Sequence, residues 1–390
     1  MLFRSGLTIF LKDNKKINYF MAILNSPLFK EIKLVLNPSY NLIVKDVRAM
    51  PILYDSNSES RLSDLVSENI VLSKKDWDEQ ETSWNYTINP LVDNRSLFFL
   101  ESIVDYYMRN RHTNIKKMMD NESLIYELVH KMYGVSDILR SEIDLNDCTI
   151  QPKTDNELIK ELVSYAVGCM FGRYSLDTPG LCYAGGTWDS SKYSSFIPDS
   201  DNIIPINDEE YFGDDIVTYF ERFIETIFGK ETLEENLKYI ANALEIKGSG
   251  TAREKIRKYF LNDFYKDHLQ MYQKCPIYWL FDSGKANGFK ALIYMHRYSP
   301  DLIGKMRQNY LLKMQRIYTE QYDKEKDQVR RTTIRKKLDE IERYDLAMEL
   351  YASKNVSINL DDGVKHNYFL FQEIENSKST KDKINLLYRI

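Results

Sequence analysis

The sequence predicts an α+β protein that is predominantly α-helical: helical domains with minor β, and a long helical segment near the C-terminus. Three observations predict this. Apolar residues recur at helical spacing along most of the 390 residues. Runs of β-branched and aromatic residues are few and short. From Leu302 to Leu350 the helical spacing is almost unbroken, with Ile303, Met306, Tyr310, Met314 and Ile317 on one stripe amid dense mixed charge. That pattern fits one long helix or an antiparallel pair.

The elements follow in order. Lys15 to Leu24 carries Ile17, Phe20, Met21 and Leu24 at helical spacing, and Pro27 stands where a second helix can begin. Asn41-Leu-Ile-Val reads as a short extended run. The polar stretch Asp55–Arg61 follows a proline-bearing segment and reads as a boundary. Glu59–Leu72 and Ser73–Gln80 read as two helices with a serine start signal between them. Ser96–Arg109 is amphipathic, and Glu122–Tyr133 is closed by Gly134, where a helix C-terminus favours glycine. Leu145–Asp155, polar and holding Pro152, is a second boundary. Leu158–Arg173 is helical. Gly172–Ile206 holds too much glycine and proline for a regular element and reads as a long structured loop of the kind that carries function. Helices resume at Asp214–Phe228 and Leu233–Leu244. Thr251-Ala-Arg-Glu254 is a capping box opening a helix to about Gln273. Pro276-Ile-Tyr-Trp-Leu-Phe281 reads as a strand or buried insert, Val356-Ser-Ile-Asn-Leu360 as a short strand, and Asp361-Asp-Gly as a turn. The divisions expected are 1–58, 59–150, 151–246 and 247–390.

Composition bounds the class. With 43% hydrophobic and 28% charged residues the chain can build real cores, which excludes disorder as its dominant state. No window of 18 uninterrupted apolar residues exists, so no membrane contact is expected, and no signal-peptide pattern opens the chain. Four scattered cysteines (Cys148, Cys169, Cys182, Cys275) fit a reducing, cytoplasmic setting better than a disulfide framework. The net charge of −5 is uninformative, but its distribution is not. Pro198–Ile246 holds 13 Asp/Glu against 3 Lys/Arg, and Lys247–Arg316 holds 14 Lys/Arg against 5 Asp/Glu. Such asymmetry marks either a basic face for nucleic acid or two segments that neutralise each other in the fold.

Several motifs invite a chemical reading. Asn37-Pro38-Ser39-Tyr40 looks like the Asn-Pro-Pro-Tyr loop that holds a flipped adenine, with Ile32-Lys-Leu-Val-Leu36 as its preceding strand. Ser39 in place of the second proline, and the lack of any Asp-x-Phe-x-Gly-x-Gly cofactor loop, favour a helix end with a proline stop. Lys247-Gly-Ser-Gly-Thr251 precedes a helix, as a phosphate-gripping turn would, yet lacks the Walker lysine and equally suits a helix–helix turn. Asp199-Ser-Asp201 breaks off before the rest of a calcium loop, and the five histidines show no ligand spacing, so no metal is expected. His268 reads as a surface residue of a basic helix. The aromatic load is more informative: Tyr278, Trp279, Phe281, Tyr294 and Tyr298 interleave with Lys274, Lys285, Lys290 and Arg297, near His296. Aromatic faces among cations suit nucleic acid through stacking and phosphate contacts, although a packed core with outward lysines gives the same pattern.

Longer blocks carry a resemblance. Ile17-Asn-Tyr-Phe-Met-Ala-Ile-Leu-Asn-Ser-Pro27, Ser164-Tyr-Ala-Val-Gly-Cys-Met-Phe-Gly-Arg-Tyr-Ser-Leu-Asp177, Tyr183-Ala-Gly-Gly-Thr-Trp-Asp189, Pro276-Ile-Tyr-Trp-Leu-Phe-Asp-Ser-Gly-Lys285 and Asn287-Gly-Phe-Lys-Ala-Leu-Ile-Tyr-Met-His-Arg-Tyr298 resemble the C-terminal half of the PglX family. That family comprises the adenine-specific DNA methyltransferases of BREX phage-defence systems. Its members are roughly three times as long, a length at which several domains are expected. The resemblance implies that the S-adenosylmethionine loop and the catalytic motif lie upstream of everything present here, so that no cofactor binds this chain alone, that residues 1–58 end a target-recognition region, and that Asn37–Tyr40 falls outside the active site. It further implies partners: double-stranded DNA, the N-terminal catalytic half and other BREX proteins. On this reading Lys285, Lys290, His296 and Arg297 meet phosphate, Arg173 and Trp188 shape the long loop, and no residue of the chain is catalytic. The alternatives are a protein-docking module without DNA contact, or a self-contained divergent methyltransferase or nuclease.

Overall fold

The structure, a computed structural model, describes residues 8–39, 43–372, 374–375 and 383–390. It is predominantly helical with minor β, and the chain divides into two compact units, residues 1–79 with 106–153, and residues 80–105 with 154–390. In chain order the first helices are α1 (Ile17–Leu24), α2 (Pro27–Leu36), α3 (Val44–Ala49), α4 (Ser56–Asp78), the short α5 (Pro90–Asp93) and the long α6 (Leu100–Tyr133).

The first unit packs α1 and α4 with the later part of α6. Tyr19, Ile23, Phe29, Leu62, Leu65 and Val129 form its core. The Tyr19 hydroxyl donates to Leu53 O (3.0 Å) and accepts from Asp55 N (2.9 Å), pinning the chain just before α4. The polar stretch read as a boundary is in fact the first turn of α4: Asp55 caps it by accepting from Asn57 N, and Ser, Asn and Asp favour caps as strongly as loops. Nor does Ser73 open a new helix, because the apolar stripe of α4 continues through it. In the same way the two helices expected between Ser96 and Tyr133 are one, α6, closed by Gly134 at φ 68°. Ile32–Leu36 is the last turn of α2, not a strand. The extended run Asn41–Val44 falls partly outside the described residues, and Val44 begins α3.

The second unit holds α7 (Asp155–Met170), β1 (Ile204–Pro205), α8 (Ile216–Phe228), α9 (Leu233–Ala243), α10 (Ala252–Asn262), α11 (Phe264–Met271), β2 (Tyr278–Asp282), β3 (Lys290–Tyr294), α12 (Leu302–Met306), α13 (Leu312–Lys324), α14 (Gln328–Lys354), α15 (Val364–Phe369), β4 (Ile374–Glu375) and β5 (Lys383–Ile384). The main sheet runs β1-β3-β2, all antiparallel, with Trp279 opposite Ile293 and Ile204 opposite Leu292. Segment 386–388 extends it beside β2, through Asp282 N to Leu386 O (3.1 Å) and Tyr388 N to Leu280 O (2.8 Å). Both faces of β2 and β3 are covered, so their sequences show no alternation of polar and apolar residues. One face meets the helical hairpin of α12–α13 and α14, where Trp279, Phe289, Ile293, Met314, Ile341 and Tyr344 share one core. Arg307 ties the hairpin to Asp345 (2.6 and 3.0 Å). A π-helical turn at Arg307–Leu311 links α12 to α13, as an inserted residue in a helix does.

Thr251 and Glu254 make the expected capping box, but the helix it opens stops at Asn262, and Asp263 separates α10 from α11. Val356–Asn359 is irregular and Leu360–Asp362 a 3-10 turn, so no strand forms there: Asn367 satisfies both backbone groups of Asn359 with its amide. No helix among the described residues is long and apolar enough to cross a membrane.

Candidate nucleic-acid interface

Helix α7 is buried without interruption from Leu162 to its end, which its small Ser164, Ala166 and Gly168 permit. A Cβ on Gly168 would lie 2.4 Å from the Tyr174 ring. The long loop leaves the end of α7 at Gly172, whose φ of 74° and whose contact with Trp188 (2.4 Å to a Cβ built there) both require glycine. Trp188 stacks on Tyr193 (centroids 4.9 Å apart, planes 17°) and meets the edge of Tyr183 at 5.1 Å. The Tyr193 hydroxyl donates to Gly172 O (2.6 Å), closing the loop back onto its origin.

Arg297 reaches this loop from the end of β3. Its guanidinium lies 4.5 Å above the Trp188 ring and donates to Phe171 O (3.2 Å), Asp199 O (2.8 Å) and Ser200 O (3.2 Å). Arg173 donates to the Tyr174 and Tyr294 hydroxyls (3.1 and 3.2 Å). His296 stacks near Tyr294, and burial, with Arg173 adding to it, pushes its pKa down to about 4, so the ring is neutral. The sequence-predicted residues Arg173, Trp188, His296 and Arg297 therefore converge. Lys290 and Lys285 do not join them. Lys290 is only 7% exposed, with Nζ 3.0 Å from Leu261 O and 3.7 Å from Asp282. Lys285 is exposed on the β2–β3 turn. That turn is held by Glu340 of α14, which accepts from Ser283 Oγ (2.6 Å), Ala286 N (2.7 Å) and Gly288 N (2.9 Å).

Two arginines of the basic segment pair with the acidic one, and Lys337 of α14 adds a third contact to it. Arg257 is bidentate on the fully buried Asp215 (2.8 Å twice), Arg253 bridges Glu221 and Glu234, and Lys337 meets Asp208. At the Lys247–Thr251 turn the Thr251 amide is taken by the Glu254 carboxylate (2.7 Å), which fits the helix–helix reading of that segment. His268, expected at the surface, is buried: its Nε2 accepts from Ile277 N and Tyr278 N, and burial pushes its pKa down to about 3. Its ring packs against Phe264, Tyr265 and Tyr272 of its own stretch of chain, and β2 closes the remaining side through Tyr278, which the helix's own sequence does not reveal.

Sequence spacing also missed a carboxylate cluster. Asp199, Asp201 and Asp214 offer oxygens within 4.8 Å of one another, close enough to share a cation among the described residues, and the Tyr310 hydroxyl bonds both Asp201 and Asp214. Burial, then the neighbouring Asp201, pushes Asp199 up to about 7. The folded state thus holds more protons than the unfolded chain between the ordinary value of 3.8 and about 7, and stability falls as pH rises through that window. The thermal midpoint should drop from about pH 5 to about pH 8, and Asp199→Asn should flatten the drop. Parallel melting-versus-pH curves for the two proteins would refute the assignment.

Comparison with known proteins sets this geometry in context. No family model matches the chain. The adenine-specific methyltransferase PglX of Lacticaseibacillus casei (strain Zhang) is 36% identical over 386 residues, covering 93% of this chain and 32% of its own length. The adenine-specific methyltransferase BrxX of Escherichia coli O9:H4 (strain HS) is 32% identical over 415 residues, covering 95% of this chain and 34% of its own. The chain is a relative of PglX and BrxX. It spans about a third of the length of these curated relatives. The PglX-like match takes in both compact units, so the loop of Gly172–Ile206, the β2–β3 turn and the helical hairpin all fall within the matched length.

Proposed function

We propose that this chain is the target-recognition and assembly portion of an S-adenosylmethionine-dependent, adenine-specific (N6) DNA methyltransferase of a BREX anti-phage system. The observation that carries the reading is the coverage: nearly all of the chain aligns with about a third of two adenine-specific methyltransferases. The absence of an Asp-x-Phe-x-Gly-x-Gly loop supports it, as does Asn37, which stands at the end of a helix with its amide on Asp46 (2.7 Å) while Tyr40 lies outside the described residues. On this reading the cofactor and the flipped adenine belong to an N-terminal catalytic half, and the two compact units contribute recognition and docking. Lys285 on the β2–β3 turn and Trp188 (36% exposed) on the long loop face the duplex, while Arg173, His296 and Arg297 rigidify the chain around that loop and Lys290 lies buried beside Asp282.

Fluorescence anisotropy of the chain on duplex DNA across a salt series tests this. Binding should weaken linearly on a log–log plot, with a slope of about −0.9 per phosphate neutralised, and Lys285→Ala should reduce that slope by about one unit. A folded chain that binds no duplex at low salt would overturn the DNA contact. A second reading then stands, a protein-docking module, favoured by the engagement of Arg257, Lys290, Arg297 and Lys337 with protein acceptors. Nuclease-insensitive capture of the catalytic half would be its signature.

A further inference from the structure

A cavity of about 580 Å³ in the second unit lies apart from the long loop, its lining including Lys274, Lys365, Tyr368, Phe369, Gln372 and Arg389. Its volume falls in the range that holds a nucleotide-sized ligand. Among the described residues three cations and no Asp or Glu side chain line it, and none of the three forms an ion pair there. Each is held in place by the fold. Arg389 follows the segment that extends the sheet beside β2. Lys274 leaves α11 through a left-handed turn at Gln273 and Lys274 (φ 50° and 60°), locked by Lys274 N on Leu269 O (2.8 Å). Lys365 projects from α15 one turn before Phe369, as residues four apart share a helix face.

A further group sets the chemistry of the occupant. Phe369 is 61% exposed and braced edge-on by Tyr368 (5.6 Å), which leaves an aromatic face open for stacking. Gln372 is 7% exposed and anchors the wall beneath it, its Nε2 donating to Leu387 O (3.3 Å). Cations for a multiply charged anion and a ring for stacking together describe one ligand class. We propose that this cavity binds a nucleoside phosphate, either free or as the phosphorylated end of a strand. Inorganic phosphate alone would leave Phe369 without a role.

Isothermal titration of the full chain with AMP, with inorganic phosphate, and with 5′-phosphorylated and 5′-hydroxyl adenine oligonucleotides tests this. AMP should bind saturably and more tightly than phosphate. Lys365→Glu and Arg389→Glu, both at exposed positions, should each weaken AMP by about ten-fold or more. Phe369→Ala should weaken AMP and leave phosphate unchanged. Preference for the phosphorylated oligonucleotide over AMP identifies a strand end, and the reverse a free nucleotide. No saturable AMP binding, equal affinities for AMP and phosphate, or indifference to both charge reversals would overturn the proposal. These variants are read with AMP and not with duplex, so failure here leaves the reading of the Gly172–Ile206 loop untouched, and failure of that reading leaves this one standing.

Discussion

Arg257→Met is expected to lower the unfolding free energy by roughly 3–5 kcal/mol, the cost of leaving a buried carboxylate without its partner. Asp215 is fully buried, and both of its oxygens take an Arg257 nitrogen at 2.8 Å. Oδ1 also caps α8 by accepting from Val217 N (3.0 Å), so the charge has a second duty that no apolar replacement can fill. Arg257 further donates to Asn207 O (3.0 Å), tying α10 to the chain that leads into α8. Burial already raises the Asp215 pKa against the lowering effect of Arg257. Removing the arginine raises it further, so the variant's deficit should shrink at acid pH, where the carboxyl is protonated and the charge is gone. Denaturant titrations at neutral and acid pH measure both effects. A loss below about 1 kcal/mol, the level of an exposed pair, would mean that the buried bidentate contact does not form.

The next largest loss is expected from Glu340→Ala, about 3 kcal/mol, because one buried carboxylate receives three hydrogen bonds from the β2–β3 turn. A Cβ on Gly288 would approach Lys337 O to 2.8 Å, so the turn lies directly against the α14 backbone. Glu340→Gln should lose less: the amide keeps one acceptor but presents N–H₂ where a backbone N–H or hydroxyl now donates. Hydrogen exchange at Ala286 and Gly288 is the sharper measurement. Their amides should lose protection in the alanine variant more than those of Trp279 or Ile293, and uniform loss across the sheet would mean that Glu340 stabilises the unit as a whole and not this turn. Lys285 rides on the same turn, so the variant also asks whether a fixed lysine is needed for the proposed DNA contact.

Much of the architecture was legible without coordinates, and the failures share a cause. Helices were readable because their signal is local: the stripe of Ile303, Met306, Tyr310 and Met314, the capping box of Thr251 and Glu254, and Gly134 at a helix end each lie within a few turns of chain. Where a local signal has two meanings, packing from elsewhere in the chain selects between them. Asp55 and Ser73 suit a loop or a helix start equally, and only the packing of Leu62, Leu65 and Val66 against α1 keeps α4 continuous. Val356–Leu360 has strand-like residues but no neighbouring strand among the described residues, and β propensity means little without one.

The candidate site divides along the same line. The chain alone determined that aromatic residues and cations alternate around Tyr278–Tyr298, that glycine is concentrated in the Gly172–Ile206 segment, and that acidic and basic runs adjoin. Only the tertiary structure decided which charges face outward. Lys285 and Lys290 are five residues apart and read alike in sequence, yet one lies exposed on a turn and the other is buried beside Asp282. Arg297 and Trp188 meet across more than a hundred residues, Asp201 and Asp214 are brought together by the Tyr310 hydroxyl, and Lys274 and Arg389 line one cavity only because the chain's last segment lies along β2. The physical reason is that periodicity and capping are set by neighbours within about one helical turn, whereas a charge's partner and exposure are set by elements that the chain brings back from far away.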